Sequence, residues 1–344
     1  MAREKIISAQ ATGGEDEKLN AALRPETLAD CIGMSELLEK LRISITASRQ
    51  RNEPMEHVLL HGPPGLGKTT LAYVIAHEMS ATIKVTSGPA MTRPSDLIGI
   101  LTNLEHRDVL FIDEIHRLPA AVEEYIYPAM EDYKVDFVVD SGMHSRTINL
   151  PLKPFTLIGA TTRAGLLSPP LRTRFGINHH LEFWSIEDLA RRCRMSAEML
   201  KLPFDEEALA LLAERARGTP RIANRLLRRC RDYAQVKADG KLTARVVDEA
   251  LKLEGIDHLG LDELDRSFLK TIIEIYRGGP VGIEAVAATL GEETDTLVDV
   301  VEPYLLQAGL LARTRRGRLA TSKAFDHLGI QAPPPEQGLF EDQP

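Results

Sequence analysis

Apolar residues fall into two rhythms along this chain. Short unbroken runs, Val58-Leu59-Leu60, Val109-Leu110-Phe111-Ile112 and Phe155-Thr156-Leu157-Ile158-Gly159-Ala160, suit strands buried on both faces of a parallel sheet. Ile83-Lys84-Val85-Thr86 predicts one more strand. Between them the spacing turns helical: Leu37, Leu38, Leu41 and Ile45 predict an amphipathic helix from about Ser35 to Ser48, and Leu71 to Ala76 predicts another directly after the first run. Strands that alternate with helices give an α/β fold with a parallel sheet.

Two later stretches depart from that rhythm. Tyr133 to Asp140 and Ser145 to Leu150 alternate polar and apolar residues around Ser141-Gly142-Met143-His144, which predicts a β-hairpin inserted into the α/β unit. Its Ile148 and Leu150 either offer an apolar face to a partner or pack on their own domain. From Ser185 the pattern is helical throughout, with Ser185 as an N-cap followed by Glu187 and Asp188. In the helix that opens at Gly218-Thr219-Pro220-Arg221, Ile222, Leu226, Cys230 and Tyr233 share a face, which leaves Arg225, Arg228 and Arg231 largely outside it. Three more helical patterns, near Leu264 to Tyr276, Ile283 to Leu290 and Thr294 to Ala308, precede a hairpin whose turn carries Arg313, Arg315, Arg316 and Arg318. That order is a winged helix, and Pro303 predicts a kink in its third helix. Four arginines without an acid suit a nucleic-acid backbone, although winged domains also bind proteins.

These shifts divide the chain into a mobile tail (1–20), a large α/β domain (21–184), a small helical domain (185–256), a winged-helix head (257–330) and an acidic tail (331–344). A formal net charge of -8 argues against general coating of nucleic acid and leaves room for a local basic patch. No apolar run is long enough to cross a bilayer and the N-terminus has no signal-peptide core, so the expected location is the cytosol. Cys31, Cys193 and Cys230 are far apart and suit reduced packing thiols. His77-Glu78 begins like a zinc-protease motif, but Ala81 stands where the second histidine is needed.

The chemistry concentrates after the first strand, in Gly62-Pro63-Pro64-Gly65-Leu66-Gly67-Lys68-Thr69-Thr70. A strand, a glycine-rich turn and a helix start form the context in which backbone N–H groups wrap a phosphate chain. Lys68 would reach the β- and γ-phosphates of ATP, and the Thr69 hydroxyl would complete a Mg²⁺ shell. The second apolar run ends in Asp113-Glu114, at the carboxyl edge where open α/β sheets place ligands. Asp113 can hold Mg²⁺ through its water, and Glu114 can deprotonate the water that attacks the γ-phosphate. Thr161 and Thr162 end the next strand, where a hydroxyl either bonds that water or the γ-phosphate or simply caps the strand. Arg172 and Arg174 are both candidate phosphate ligands, and Arg221, a cation at a helix start, makes sense on a bound anion.

In order, Leu23-Arg24-Pro25, the loop from Gly62 to Thr70, Leu110 to Arg117, the hairpin insertion, Gly159 to Gly165, Leu171 to Gly176 and Gly218 to Arg221 resemble the AAA+ ATPases. Within them the chain resembles the RuvB family of bacterial Holliday-junction branch-migration motors over about residues 20 to 330. The resemblance implies a P-loop RecA-like AAA+ sheet with a β-hairpin insertion, an α-helical lid, a winged-helix head, and a homo-hexameric ring driven along duplex DNA by ATP. It makes Arg174 an arginine finger reaching a neighbour's nucleotide and Arg221 a γ-phosphate sensor on the lid. It sets adenine and ribose against Leu23 and Arg24, the segment Glu131, Asp132 and Tyr133, and Trp184, where the family more often has Tyr. By the same resemblance Ile148 and Leu150 dock on a RuvA-like junction-binding protein, a RuvC-like resolvase joins the assembly, and Arg313 and Arg318 touch DNA phosphates. Where the family often carries a further basic residue, this chain has Thr294. The alternative is an ATP-switched DNA loader or replication initiator of the same class, and the hairpin insertion favours the motor.

Overall fold

The computed structural model describes residues 24–138 and 147–331. Leu23, the tip of the inserted hairpin and both tails expected from the sequence lie outside the described residues. Five strands form one parallel sheet in the order β2 (Ile83–Ser87), β3 (Val109–Asp113), β6 (Thr156–Thr161), β1 (Val58–His61), β7 (Ile177–His180). The three unbroken apolar runs are its central strands, because only a strand covered on both faces can be apolar at every position. Alternate side chains split between two cores. Val58, Leu60, Phe111 and Ile158 pack with Leu41, Leu71 and Ile75 from the helices Ser35–Arg51 and Lys68–Glu78. Leu59, Leu110, Ile112 and Leu157 face Leu97, Val122 and Ile126 on the other side.

The insertion is a two-stranded antiparallel ribbon, β4 (Lys134–Val138) and β5 (Thr147–Pro151), with Val135 opposite Leu150. Its two apolar candidates separate: Ile148 is 46% exposed, whereas Leu150 is half-buried.

Four helices, Ile186–Met199, Glu206–Arg215, Pro220–Lys237 and Ala244–Leu253, share a core of their own. Ser185 caps the first by accepting the Asp188 N–H. Arg225 departs from expectation. It is buried, because the long helix covers Ala223, Asn224 and Leu227 as well as Ile222 and Leu226, and so buries a wider face than the sequence stripe suggested.

A fourth core holds the winged head: Glu263–Lys270, Ile283–Leu290, a helix starting at Thr294, and the ribbon β8 (Leu311–Thr314) and β9 (Gly317–Ala320). Val281 adds a bridge to β9, and the helix Ser322–Leu328, which the sequence reading did not mark, closes the unit. Just before Pro303 the third helix widens into a π turn over Leu297–Val301 and then continues as Glu302–Gln307. The wide turn accommodates a residue that has no N–H to give.

Among the described residues, two arginines form ion pairs that tie the head to the rest. Arg217, 3% exposed, donates from both terminal nitrogens to the Asp265 carboxylate at 2.9 Å and lies over the Tyr304 ring. Removing one partner strands a buried charge, so Asp265→Asn should destabilise the protein by roughly 3 kcal/mol or more. Urea unfolding measures it, and replacing both partners with apolar residues should recover most of the loss. The second pair joins Arg163, just past β6, to the head's Asp299 at 2.7 and 2.8 Å and Asp295 at 2.9 Å.

Candidate active site

The carboxyl ends of β1, β3 and β6 lie side by side, with His61 opposite Thr161, so the three sequence motifs arrive at one edge. The Gly62 N–H bonds the Thr161 carbonyl, which anchors the loop to β6. A Cβ on Gly62 would come within 2.4 Å of the Leu181 carbonyl oxygen, so no other residue fits there. Gly65 and Gly67 take φ of 80° and 102°, which turn successive N–H groups to one side at the start of the helix Lys68–Glu78.

The Lys68 amine, 7% exposed, donates to the loop carbonyls of Gly62 at 2.7 Å and Pro63 at 2.9 Å. Burial brings its pKa down to about 8, against the pull of Asp113 and Glu114. A buried ammonium that bonds only carbonyls is under-neutralised, which is the condition a phosphate relieves. Thr69, Thr70, Asp113, Glu114 and Thr162 line the same cleft, and Arg24 enters it while stacked on Tyr73. The lid closes it with Trp184 and Arg221, so the cleft runs between two domains. Burial of the Trp184 indole leaves its Nε1–H without a bonding partner among the described residues.

Glu114 has left-handed backbone, φ 47°, immediately after β3. Burial, then the neighbouring Asp113 charge, raises its pKa above the ordinary glutamate value, which makes the carboxylate a stronger base. The two threonines differ. Thr162 donates to Glu114 Oε2 at 3.4 Å and lines the cleft, whereas Thr161 is 0% exposed, turned away from the cleft and bonded to His116 and the Arg163 N–H. The expectation that either hydroxyl could meet the γ-phosphate therefore narrows to Thr162.

Arg174, Glu131, Asp132 and Tyr133 do not line this cleft. Tyr133 packs against His57 and Phe155, the residues that precede β1 and β6, and Arg174 precedes β7. These positions mark the amino edge of the sheet, opposite the phosphate loop. There Arg174 pairs with Glu131 at 3.0 Å, stacks on Tyr127 at 4.5 Å and donates to the Pro170 carbonyl. Glu131, Asp132 and Tyr133, set against adenine and ribose by the resemblance, therefore lie away from this chain's own cleft, on the same edge as Arg174.

The wing also divides. Arg313, Arg315 and Arg316 are exposed, but Arg318 is paired at 2.6 Å with Glu302, whose side chain is 2% exposed. Arg318 is held in this ion pair, unlike the other three arginines of the wing. Among the cleft residues missed from the sequence are Arg192 and Asn224. Arg192 sits in the buried stripe of Leu189, Cys193 and Ser196, and a cation in an apolar stripe was the available signal.

Among the described residues no cluster of His, Cys, Asp and Glu could hold a metal by itself. The set does fit a Mg²⁺ ion shared with phosphate oxygens and water, which asks the protein only for a hydroxyl and a carboxylate, here Thr69 and Asp113. No helix among the described residues is long and apolar enough to cross a membrane.

The family models matched are the Holliday junction DNA helicase RuvB P-loop domain over residues 23–181, the RuvB AAA lid domain over 184–257 and the RuvB C-terminal winged helix domain over 258–329. A curated relative from Desulfosudis oleivorans, "Holliday junction branch migration complex subunit RuvB", is 58% identical over 310 residues, 90% of each chain. The structure of "Thermotoga maritima RuvB Holliday junction branch migration motor" superposes with a TM-score of 0.83 at 50% identity, over 90% of this chain and 99% of that one. A point mutant of the same Thermotoga protein gives 0.85 at 49% identity, over 91% and 100%. With all three domains matched in order and the phosphate-loop cleft formed between the first two, the chain belongs to the RuvB family of AAA+ P-loop ATPases.

Proposed function

We propose that this chain is an ATP-driven motor that moves duplex DNA to drive branch migration of Holliday junctions in recombination and repair, in the cytoplasm. The observation that carries the reading is the cleft between sheet and lid, where Lys68, Glu114, Thr162 and Arg221 converge, in a chain of this family.

Lys68 and the loop N–H groups hold the phosphates, and Arg24 and Trp184 flank the nucleoside. Mg²⁺, held by Thr69 and Asp113, would neutralise charge on the phosphate oxygens. Glu114 takes the proton of the attacking water while Thr162 orients it. Arg221, on the lid, joins the γ-phosphate to the second domain, so that its loss on hydrolysis changes the lid's position. Arg174 sits on the opposite edge, which suits a hexameric ring in which each copy presents Arg174, with Glu131, Asp132 and Tyr133 beside it, to its neighbour's nucleotide. The exposed Ile148 suits docking on a RuvA-like junction-binding protein, and a RuvC-like resolvase would act on the same junction.

A synthetic four-way junction with the RuvA-like partner provides the test. It should be resolved into duplex arms with ATP and not with a non-hydrolysable analogue. ATP turnover without junction movement would favour the loader reading.

In the wing, Arg315→Ala and Arg316→Ala should each lower the slope of log affinity against log salt by about one unit, equally for all sequences. Arg318→Ala should instead lower the thermal stability of the head, because it leaves Glu302 buried and unpaired.

A further inference from the structure

Two strand ends meet on one ring nitrogen. His116 Nδ1 lies 3.2 Å from Glu114 Oε2 and 2.8 Å from Thr161 Oγ1, and the imidazole side chain is 6% exposed. Thr161 is itself fixed, since its hydroxyl accepts the Arg163 N–H at 2.9 Å. The Glu114 backbone bonds close neighbours, its N–H to Asp113 Oδ1 at 3.0 Å and its carbonyl to the Arg117 N–H at 2.9 Å, and these bonds leave the side-chain torsions free. Glu114 sits in left-handed conformation between β3 and the short turn Ile115–Arg117, outside any regular element. Its other side-chain partner, the Thr162 hydroxyl, is at 3.4 Å, the long end of a hydrogen bond.

A glutamate has three rotatable side-chain bonds, and a base must meet its water within hydrogen-bond reach in one orientation. Nδ1 shares a hydrogen bond with the Thr161 hydroxyl and lies 3.2 Å from the Glu114 carboxylate, so a ring proton on Nδ1 presents partial positive charge that keeps the carboxylate beside the end of β6. The opposite tautomer would aim a lone pair at the Glu114 carboxylate.

We propose that His116 is a positioning residue for ATP hydrolysis: through Nδ1 it holds the Glu114 carboxylate against Thr161, at the junction of β3 and β6. It touches neither nucleotide nor water and acts only through Glu114. The inference rests on the reading of Glu114 as the base.

Steady-state ATP hydrolysis by the full-length chain tests it, with His116→Ala, His116→Asn and Glu114→Gln compared singly and His116→Ala combined with Glu114→Gln. Asn places an N–H near the position of Nδ1, so it is the conservative replacement. His116→Ala should lower kcat by about 10- to 100-fold with the KM for ATP little changed. His116→Asn should recover most of that loss. In the Glu114→Gln background, His116→Ala should cost nothing further, because the group it holds is already disabled. Wild-type kcat in His116→Ala overturns the proposal. So does an equal loss in the Ala and Asn variants accompanied by lower thermal stability, or the same factor lost with and without Glu114. Normal turnover by Glu114→Gln would instead remove the base assignment, and the positioning role with it.

Discussion

Glu114→Gln is expected to bind ATP as tightly as the unaltered chain and to hydrolyse it roughly 10²- to 10⁴-fold more slowly. The amide is the same size and keeps an acceptor oxygen for Thr162, so the cleft and its phosphate loop should be undisturbed. What is lost is the ability to take a proton. Because burial and Asp113 raise the Glu114 pKa, the carboxylate is better matched to that task than an exposed glutamate. Equilibrium binding of ATP alongside single-turnover hydrolysis separates the two effects. A fall in kcat with unchanged affinity supports the assignment, and normal turnover refutes it.

The second large effect concerns the arginine on the far edge. Arg174→Ala should reduce hydrolysis by about 10³- to 10⁵-fold, the range known for arginine fingers. If Arg174 serves a neighbour, a chain that lacks it still has a sound cleft, and a Lys68→Ala chain still has a sound finger. Mixing the two inactive proteins should therefore restore hydrolysis, at most at about a quarter of the interfaces in an equal mixture with random head-to-tail assembly. Failure at every ratio would mean that Arg174 acts in its own subunit, or that its ion pair with Glu131 is structural. Glu131→Gln checks the latter: loss of that pair alone should leave thermal stability nearly unchanged, because Glu131 is more than half exposed.

How much of this was legible in the chain depends on whether chemistry or packing sets the position. The phosphate loop could be read because wrapping a phosphate demands glycines and a lysine at fixed spacing, and the flanking strand and helix were written in the same stretch. Asp113 and Glu114 could be read because an apolar run that ends in two carboxylates leaves little else for them to do. The edge on which Tyr133 and Arg174 sit was not legible, since residue types do not reveal which end of a sheet a loop reaches. Nor was the fate of Arg318, whose partner Glu302 lies on another element and is buried by the fold of the head. The ion pair of Arg163 with Asp299 spans 136 residues, and only the packing of head on ATPase domain brings it about. The difference between Thr161 and Thr162 follows from strand alternation, but which of two adjacent hydroxyls faces solvent needed the register of β6 against β1.

The account depends most on a nucleotide site completed by a second copy of the chain. The specific rate of ATP hydrolysis, measured per subunit across a wide range of protein concentration with and without duplex DNA, tests this most directly. The rate per subunit should climb steeply with concentration and reach its plateau at lower concentration when DNA is present. A rate per subunit that stays flat from dilute to concentrated protein would contradict it.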